Sequence, residues 1–157
     1  MTVTARDIMS KEIISVGEQQ TLQEAIELMA RHNISGLPVT GEQQMLMGII
    51  SNSDIIRYSQ QVNIVPLMDL TGWVSPHTNI VDMASLRKGI DLLVNTTVGS
   101  IMKKKVFTAA ENTDILDLAR LMSQRKINRI PILDQNRKLI GLVTRTDLIK
   151  SLVKKEM

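Results

Sequence analysis

The sequence contains two copies of one pattern, and this internal repeat constrains the fold more than any other feature. Residues 6–57 align with residues 99–150 without a gap. The matched positions carry the same apolar residue, proline, glycine and aspartate in the same order: Ile8 and Ile101, Pro38 and Pro131, Gly48 and Gly141, Asp54 and Asp147. Because there are only two copies, the pattern predicts a pair of similar halves and not an open-ended solenoid.

Within each copy, the apolar spacing and the turn residues predict the order β-α-β-β-α. In the first copy we expect strands at 13–16, 37–40 and 46–50, with helices from 21 to about 32 and from 51 to about 60. In the second copy we expect strands at 106–109, 129–133 and 139–144, a helix from 113 or 114 to about 124, and a final helix. The fold class is therefore mixed α/β, of the α+β kind.

The stretch between the copies is too long for an ordinary connection. It contains the helix breakers Pro66, Gly72 and Pro76, followed by an apolar stripe formed by Met83, Leu86, Ile90 and Leu93. We expect a first domain at 1–60, a linker at 61–97 with a helix at about 82–94, and a second domain at 98–157. The linker helix either packs on the module as a bridge or, together with Trp73, forms a lid or a partner-docking surface.

Composition excludes several classes of protein. Cysteine is absent, which excludes disulfides, thiolate catalysis and cysteine-based zinc sites. There is no leader-like or membrane-spanning apolar segment, so we expect a cytoplasmic protein without membrane contact. The single Phe, Tyr and Trp argue against a nucleic-acid reader that stacks bases on aromatic side chains.

The net charge of +3 is unevenly distributed. Residues 6–57 carry 4 basic and 7 acidic side chains, whereas residues 99–150 carry 11 basic and 5 acidic ones. A basic half is typical of proteins that bind nucleic acid, an acidic partner or a phosphate-bearing small molecule, and it also occurs as a solvated surface. We interpret the run Lys103-Lys104-Lys105 as such a surface.

The motif GLVTRTD at 141–147, repeated as GIISNSD at 48–54, places a hydroxyl and a carboxylate where a strand passes into a helix. Backbone N–H groups at a helix start attract anions, so Thr144 with Asp147, and Ser51 with Asp54, could hold the sugar and phosphate of a nucleotide. The same spacing also fits a capping box that needs no ligand. Both interpretations stay open at this point.

Taken together, these motifs resemble the CBS domain, named for cystathionine β-synthase, in a tandem pair called a Bateman module. The resemblance rests on DIM at 7–9 and SIM at 100–102, LPV at 37–39 and IPI at 130–132, and the two glycine-to-aspartate runs. It implies two repeats packed through their sheets about a pseudo-twofold axis. It also implies clefts that bind adenosine ligands such as AMP, ADP, ATP or S-adenosylmethionine, so that the chain acts as a regulatory sensor.

Site residues are carried over from the family by position. The resemblance implies that Asp147 and Asp54 accept from ribose hydroxyls, and that Thr144 and Ser51 meet ribose or phosphate. It implies adenine contacts at Thr108 and Ser15, a base lined by Ile130-Pro131 and Leu37-Pro38, and a phosphate contact at Arg129. The copies differ at two of these places, because Arg129 and Arg145 correspond to Gly36 and Asn52. We therefore expect phosphate-bearing ligands to favour the cleft of Arg129 and Arg145.

Other functional classes have less support. His32 and His77 have no metal-ligand spacing and no hydrolase or nucleotide-cleaving motif occurs, so we expect no enzyme, no catalytic residue, no metal and no required cofactor. A DNA-binding regulator would rest on the basic half alone. A ligand-free CBS pair that serves dimerisation or protein interaction is the main alternative. We also expect a homodimer, and an output that passes through a separate effector protein.

Overall fold

The computed structural model describes residues 2–62 and 83–154, and its contacts divide the chain into two compact units. Unit 1 consists of the described residues of Met1–Ile14, Thr40–Leu46 and Lys105–Met157. Unit 2 consists of the described residues of Ser15–Val39 and Met47–Lys104. The domain limits expected from the sequence, at 60, 61, 97 and 98, stay a prediction.

The elements follow the expected order, with one additional helical turn at the start of each copy. They are α1 Ala5–Ile8, β1 Val16–Gly17, α2 Leu22–Arg31, β2 Gly36–Thr40, β3 Leu46–Ser51, α3 Asn52–Gln61, α4 Met83–Asn95, α5 Val98–Ile101, β4 Ala109–Ala110, α6 Ile115–Arg125, β5 Arg129–Leu133, β6 Leu139–Thr144 and α7 Arg145–Lys154. A short 3-10 turn at Glu42–Gln44 joins β2 to β3. The mixed α+β class is confirmed.

Each three-stranded sheet is built in the same order. One has the order β1-β2-β3 and the other β4-β5-β6. In the second sheet β4 runs parallel to β5, with Ala109 opposite Ile132, whereas β5 and β6 are antiparallel, with Arg129 opposite Thr144. The last residue of β6 is Thr144, the residue that supplies the hydroxyl of the GLVTRTD motif, so sheet register places this residue beside Arg129.

The helices begin where the sequence supplies caps. Thr21 accepts from the backbone N–H of Glu24 at 3.2 Å, and the Glu24 carboxylate accepts from the backbone N–H of Thr21 at 2.8 Å. In α6 the N-cap is Asp114, which accepts from the backbone N–H of Leu116 at 2.7 Å. Each cap satisfies backbone donors that a helix start leaves without an intrahelical partner.

Each unit has its own apolar core. In unit 1 the core combines side chains from α1, α6, β5, β6 and α7: Ala5, Ile115, Leu118, Met122, Ile130, Ile132, Val143 and Leu148. In unit 2 the buried apolar residues come from the sheet and from α2, α3, α4 and α5: Val16, Leu22, Ala25, Met29, Leu37, Val39, Ile50, Ile55, Leu93 and Val98. These residues hold the strand-to-helix junctions in place.

The start of each sequence copy docks on the other copy's helix and strands. In unit 1, Ala5 donates its backbone N–H to the carbonyl of Thr113 at 2.8 Å, and Ser10 pairs with Leu142 as an isolated bridge. In unit 2, Val98 donates to the carbonyl of Gln20 at 2.8 Å. Lys103 pairs there with Ile49. This exchange of segments brings residues into each site that lie far away in sequence.

The first strand of each copy is shorter and later than expected. The sequence predicted strands at 13–16 and 106–109, whereas pairing is limited to Val16–Gly17 and Ala109–Ala110. The residues before them, such as Ile13 and Phe107, are half-buried but lie outside the ladders. The apolar residues at these places therefore indicated burial of the side chains, and not hydrogen bonding to a neighbouring strand.

The linker helix α4 lies close to the expected range of about 82–94. Leu93 is buried and Ile90 is 47% exposed, so the predicted apolar stripe is covered at Leu93 and exposed at Ile90. The described residues do not include Pro66, Gly72, Trp73, Pro76 and His77, or the side chains of Met83 and Leu86.

Across residues 2–62 and 83–154, no helix is long and apolar enough to cross a membrane.

Candidate functional site

The carboxylate of Asp147 forms a capping box with Thr144 at the start of α7. Its Oδ2 accepts from the backbone N–H of Thr144 at 2.8 Å and from the Thr144 hydroxyl at 2.8 Å. In return the Thr144 hydroxyl accepts from the backbone N–H of Asp147 at 3.3 Å. These contacts satisfy the helix start and use a single carboxylate oxygen, so Oδ1 of Asp147 takes no part in the cap.

The first copy repeats this arrangement at the start of α3. Oδ2 of Asp54 accepts from the backbone N–H and the hydroxyl of Ser51, both at 2.9 Å. Oδ1 of Asp54 accepts from Nη1 of Arg57 at 3.3 Å and lies 3.5 Å from Nζ of Lys103. The Asp54 side chain is only 3% exposed, and a buried carboxylate of this kind requires such partners.

Both aspartates line a pocket between the last helix of a copy and the helical turn that docks beside it. In unit 1 the cavity holds about 240 Å³ and is lined by Asp7, Ile8, Asp147, Lys150, Ser151 and Lys154. In unit 2 it holds about 340 Å³ and is lined by Asp54, Arg57, Tyr58, Gln61, Ser100, Ile101 and Lys103. The spacing of the repeat relates each residue of the unit 1 lining to one of the unit 2 lining, and Lys103 is an additional member of the unit 2 lining.

The charges of the two pockets differ. The unit 1 pocket combines Asp7 and Asp147 with Lys150 and Lys154, which balances positive and negative charge. The hydrogen bond from the backbone N–H of Thr4, and to a smaller extent the one from its hydroxyl, hold the pKa of Asp7 below its ordinary value. Asp7 therefore stays ionised near neutral pH. The unit 2 pocket has one carboxylate and two cations.

The remaining predicted site residues fall into two groups by exposure. Leu37, Pro38, Ile130 and Pro131, expected to line a base, are fully buried. Ser15 is half-buried just before β1, Thr108 is exposed just before β4, and Arg145 is exposed at the first position of α7. The roles assigned to these residues stay predictions. All candidate site residues of the second copy lie in unit 1, and all those of the first copy lie in unit 2.

Sequence reasoning missed the pocket residues outside the motif. Asp7 and Ile8 line the unit 1 pocket, and Ser100 and Lys103 line the unit 2 pocket, although each belongs to the other copy's sequence. Their matched places in the repeat were visible, but the docking of one copy's start on the other copy was not. Among the described residues no group of histidine, aspartate and glutamate side chains is arranged to hold a metal ion.

A model of the CBS domain matches the chain twice, at residues 5–61 and 98–154. The chain belongs to the CBS domain family. Two matches on one chain make it a tandem CBS pair, and the family and fold expected from the sequence are confirmed.

Two relatives of this CBS pair match most of its length. An uncharacterized protein of Methanocaldococcus jannaschii is 34% identical over 152 residues, which cover 94% of this chain and 90% of that protein. Hypoxic response protein 1 of Mycobacterium tuberculosis is 26% identical over 149 residues, covering 95% and 85% of the two chains.

Two solved structures share the fold and contain adenosine compounds. The complex of CBSX2 with AMP has a TM-score of 0.73 at 23% identity and covers 98% of both chains. The CBS domain pair of protein MJ0100, in complex with 5′-methylthioadenosine and S-adenosyl-L-methionine, has a TM-score of 0.70 at 25% identity and covers both chains fully. The likeness to CBSX2, at this identity, shows the fold alone.

Proposed function

We propose that this CBS pair is a non-catalytic regulatory module that binds an adenosine-containing ligand at Asp147 in unit 1 and at Asp54 in unit 2. The candidate ligands are AMP, ADP, ATP and S-adenosylmethionine. The proposal is supported by the adenosine compounds in the two structural neighbours, AMP in one and two adenosyl sulfur compounds in the other. We place the protein in the cytoplasm.

The observation that carries the proposal is that each capping aspartate uses one carboxylate oxygen for the cap and also lines a pocket. That oxygen is Oδ2 in both units. An ionised carboxylate has about four acceptor positions, of which the cap uses two, so Asp147 can cap its helix and accept from ligand hydroxyls at once. At Asp54 the cap, Arg57 and Lys103 already use all four, so a ligand hydroxyl there has to displace one of these cations from Oδ1. The two interpretations of the motif that the sequence left open are therefore compatible.

A ribose suits these carboxylates because its two neighbouring hydroxyls are both donors. Bonds between neutral donors and a charged acceptor are shorter and stronger than neutral bonds. The helix start contributes a positive partial charge beside the same oxygen atoms, which favours a phosphate carried by the sugar. A nucleoside phosphate combines both groups in one ligand.

A thermal-shift screen tests the proposal. Purified protein, stripped of nucleotide, is heated with AMP, ADP, ATP, S-adenosylmethionine, NAD or cyclic dinucleotides, with inosine and guanosine monophosphates as matched controls for the base. At 100 times its Kd a ligand adds about 2.7 kcal/mol of stability. We expect at least one adenosine compound to raise the melting temperature by several degrees, and a screen without any adenosine-dependent shift would contradict the proposal.

The alternative function is a dimerisation or interaction module without a ligand. It is favoured by apolar side chains that stay more than half exposed on α6 and α7: Leu116, Ile149, Leu152 and Val153. Contiguous exposed apolar surface marks interaction sites, and the i, i+3, i+4 spacing of Ile149, Leu152 and Val153 places these three side chains on one face of α7. We propose a homodimer under either function, with the regulatory output passing to a separate effector protein.

A further inference from the structure

The chain has ten methionines and no cysteine. Cysteine and methionine are the two residues whose sulfur is oxidised reversibly in proteins, and a methionine sulfoxide is returned to the thioether by dedicated reductases. Reversible oxidation of sulfur in this chain can therefore occur only at methionine. Two properties decide whether it has a structural effect: access of the oxidant to the side chain, and close packing that an added oxygen would disturb.

Met9 and Met102, at matched positions of the repeat, have both properties. Each residue is half-buried, which leaves part of its surface open to a small oxidant. Each thioether also packs into the space that a side chain of a motif glycine would occupy. A Cβ on Gly141 would overlap the sulfur of Met9, and a Cβ on Gly48 would stand 2.7 Å from the sulfur of Met102.

Other described methionines differ from this pair. Met29 and Met122 are 2% exposed, so a dissolved peroxide does not reach them in the folded protein. Met47 on β3 is 39% exposed, and a sulfoxide oxygen there would stay hydrated. Met45 is half-buried but belongs neither to a site motif nor to a segment that docks on the other copy. Met9 and Met102 are therefore the methionines at which oxidation would reach those contacts.

The backbone holds Met9 in place on both sides. Met9 donates its N–H to the carbonyl of Ala5 at 2.8 Å, which closes α1. The next residue, Ser10, exchanges two backbone hydrogen bonds with Leu142, of 2.9 and 3.1 Å. The Met9 side chain packs against the apolar core of unit 1. A change at its sulfur is therefore felt by both the docked segment and the core.

The backbone around Met102 is arranged in the same way. Met102 donates its N–H to the carbonyl of Val98 at 2.9 Å, which closes α5. The next residue, Lys103, exchanges two backbone hydrogen bonds with Ile49, of 2.9 and 2.8 Å. The two units thus carry the same contact between a methionine and a glycine, and one oxidant would act on both.

A hydroperoxide transfers one oxygen atom to a thioether. The sulfur lone pair attacks the distal peroxide oxygen, the O–O bond breaks, and the proton of the transferred hydroxyl passes to the leaving oxygen, which departs as water or an alcohol. The sulfur loses two electrons, which reduce the peroxide, and a polar sulfoxide replaces the apolar thioether. Burying the new oxygen against an α-carbon and an apolar core, without a donor, is unfavourable, so the side chain has to leave the contact.

We propose that Met9 and Met102 are sites of reversible oxidation by peroxides, and that their sulfoxides loosen the docked segments from the motif glycines. These segments include α1 and α5, each of which supplies two residues to a pocket lining. The modification therefore connects the level of oxidant to the walls of both pockets. The inference does not depend on which ligand the pockets hold.

Titration of the full chain with hydrogen peroxide tests the proposal, with peptide mapping by mass spectrometry and thermal melts of the same samples. We expect sulfoxide at Met9 and Met102 while Met29 and Met122 stay reduced. The melting temperature should then fall by about 3–10 °C. The two stereospecific methionine sulfoxide reductases, one for each sulfoxide epimer, should restore the original value.

A pair of double variants assigns the effect to these positions. Met9→Leu/Met102→Leu roughly keeps the side-chain volume and cannot be oxidised there, so peroxide should change its melting temperature by less than about 2 °C. Met45→Leu/Met47→Leu is the matched control, because it removes two other methionines that solvent reaches. The control should respond to peroxide as the parent protein does.

Three results would overturn the proposal. Met9 and Met102 stay reduced while Met47 is oxidised, or both are oxidised without a change in melting temperature, or Met9→Leu/Met102→Leu loses as much stability in peroxide as the parent does. If that variant does not fold, the reductase experiment on the parent protein decides. A melting temperature that stays low after the peptide map shows Met9 and Met102 reduced again would overturn the proposal as well.

Discussion

The side chain of Met9 packs directly against the α-carbon of Gly141, so that a Cβ on Gly141 would overlap the methionine sulfur. The same relationship joins Met102 to Gly48 in unit 2, where the sulfur would lie 2.7 Å from the added atom. Each glycine belongs to a site motif, and each methionine comes from the segment that docks beside it. The close contact therefore ties the exchanged segment to the pocket.

These contacts predict that Gly48→Ala destabilises the protein more than Gly141→Ala does. A Cβ on Gly48 meets the backbone carbonyl of Lys103, which cannot move without breaking the pairing with Ile49. The three atoms nearest to a Cβ on Gly141 all belong to the flexible side chain of Met9. Overpacking costs about 1–3 kcal/mol, and we expect Gly48→Ala at the upper end and Gly141→Ala at the lower. Urea unfolding at equal m-values measures the difference. A larger loss for Gly141→Ala would contradict the assignment.

Much of the fold was predictable from local signals. The bounds of β5 and β6 agree with the sequence prediction, because prolines, turn residues and alternating apolar residues delimit them. The capping boxes at Thr21, Ser51 and Thr144 were visible for the same reason, since a cap depends on residues three positions apart. Such features need no knowledge of the tertiary structure.

The rest depended on contacts between distant residues. We interpreted Lys103 as part of a solvated basic run, and its exposed side chain agrees with that interpretation. Backbone pairing with Ile49 nevertheless brings Lys103 next to Asp54, with which it forms an ion pair. Neither α1 nor α5 was predicted, because four-residue helices have little periodicity and these two are held by tertiary hydrogen bonds. Without the docking partner, a short helix of this kind has no local signature.

Asp147→Asn separates the two uses of this carboxylate. The asparagine oxygen can take the place of Oδ2 in the cap, and the loss of charge at the helix start costs about 0.3–1 kcal/mol, or a few degrees in melting temperature. At the position of Oδ1 the asparagine presents an amide donor in place of the acceptor that the ribose hydroxyls need. AMP affinity should therefore fall about five- to 150-fold. Calorimetry and thermal melts of one preparation measure both effects. If the variant melts at a lower temperature but binds AMP as tightly as the parent does, Asp147 only caps α7 and does not bind ribose.

Arg129→Ala tests the phosphate contact implied in unit 1. Arg129 pairs with Thr144 in the sheet, which places its backbone beside the motif. Losing a hydrogen bond to a charged group costs about 1.5–3 kcal/mol, so AMP should weaken by roughly tenfold or more while adenosine barely changes. The control is Arg120→Ala, which removes an exposed arginine paired with Asp117 on α6. Equal losses for AMP and adenosine would contradict a phosphate role.

A homodimer is expected from the exposed apolar side chains of α6 and α7. Light scattering at tens of micromolar should report about twice the chain mass of 17.6 kDa. Leu152→Asp places a charge on a side chain that is 55% exposed and should shift the protein toward the monomer. Gln135→Asp, on the exposed turn between β5 and β6, is the control. A parent protein that is monomeric with and without nucleotide would contradict the prediction.

The most direct measurement compares AMP with 2′,3′-dideoxy-AMP in calorimetric titrations of the nucleotide-stripped parent protein. The two ligands share base and phosphate and differ only in the ribose hydroxyls that Asp54 and Asp147 are proposed to accept. A charged acceptor left without its donors costs about 1.5–3 kcal/mol. The account predicts that AMP binds and that the dideoxy compound binds roughly tenfold or more weakly. Equal affinities for the two, or no binding of AMP, would contradict a ribose site at these carboxylates.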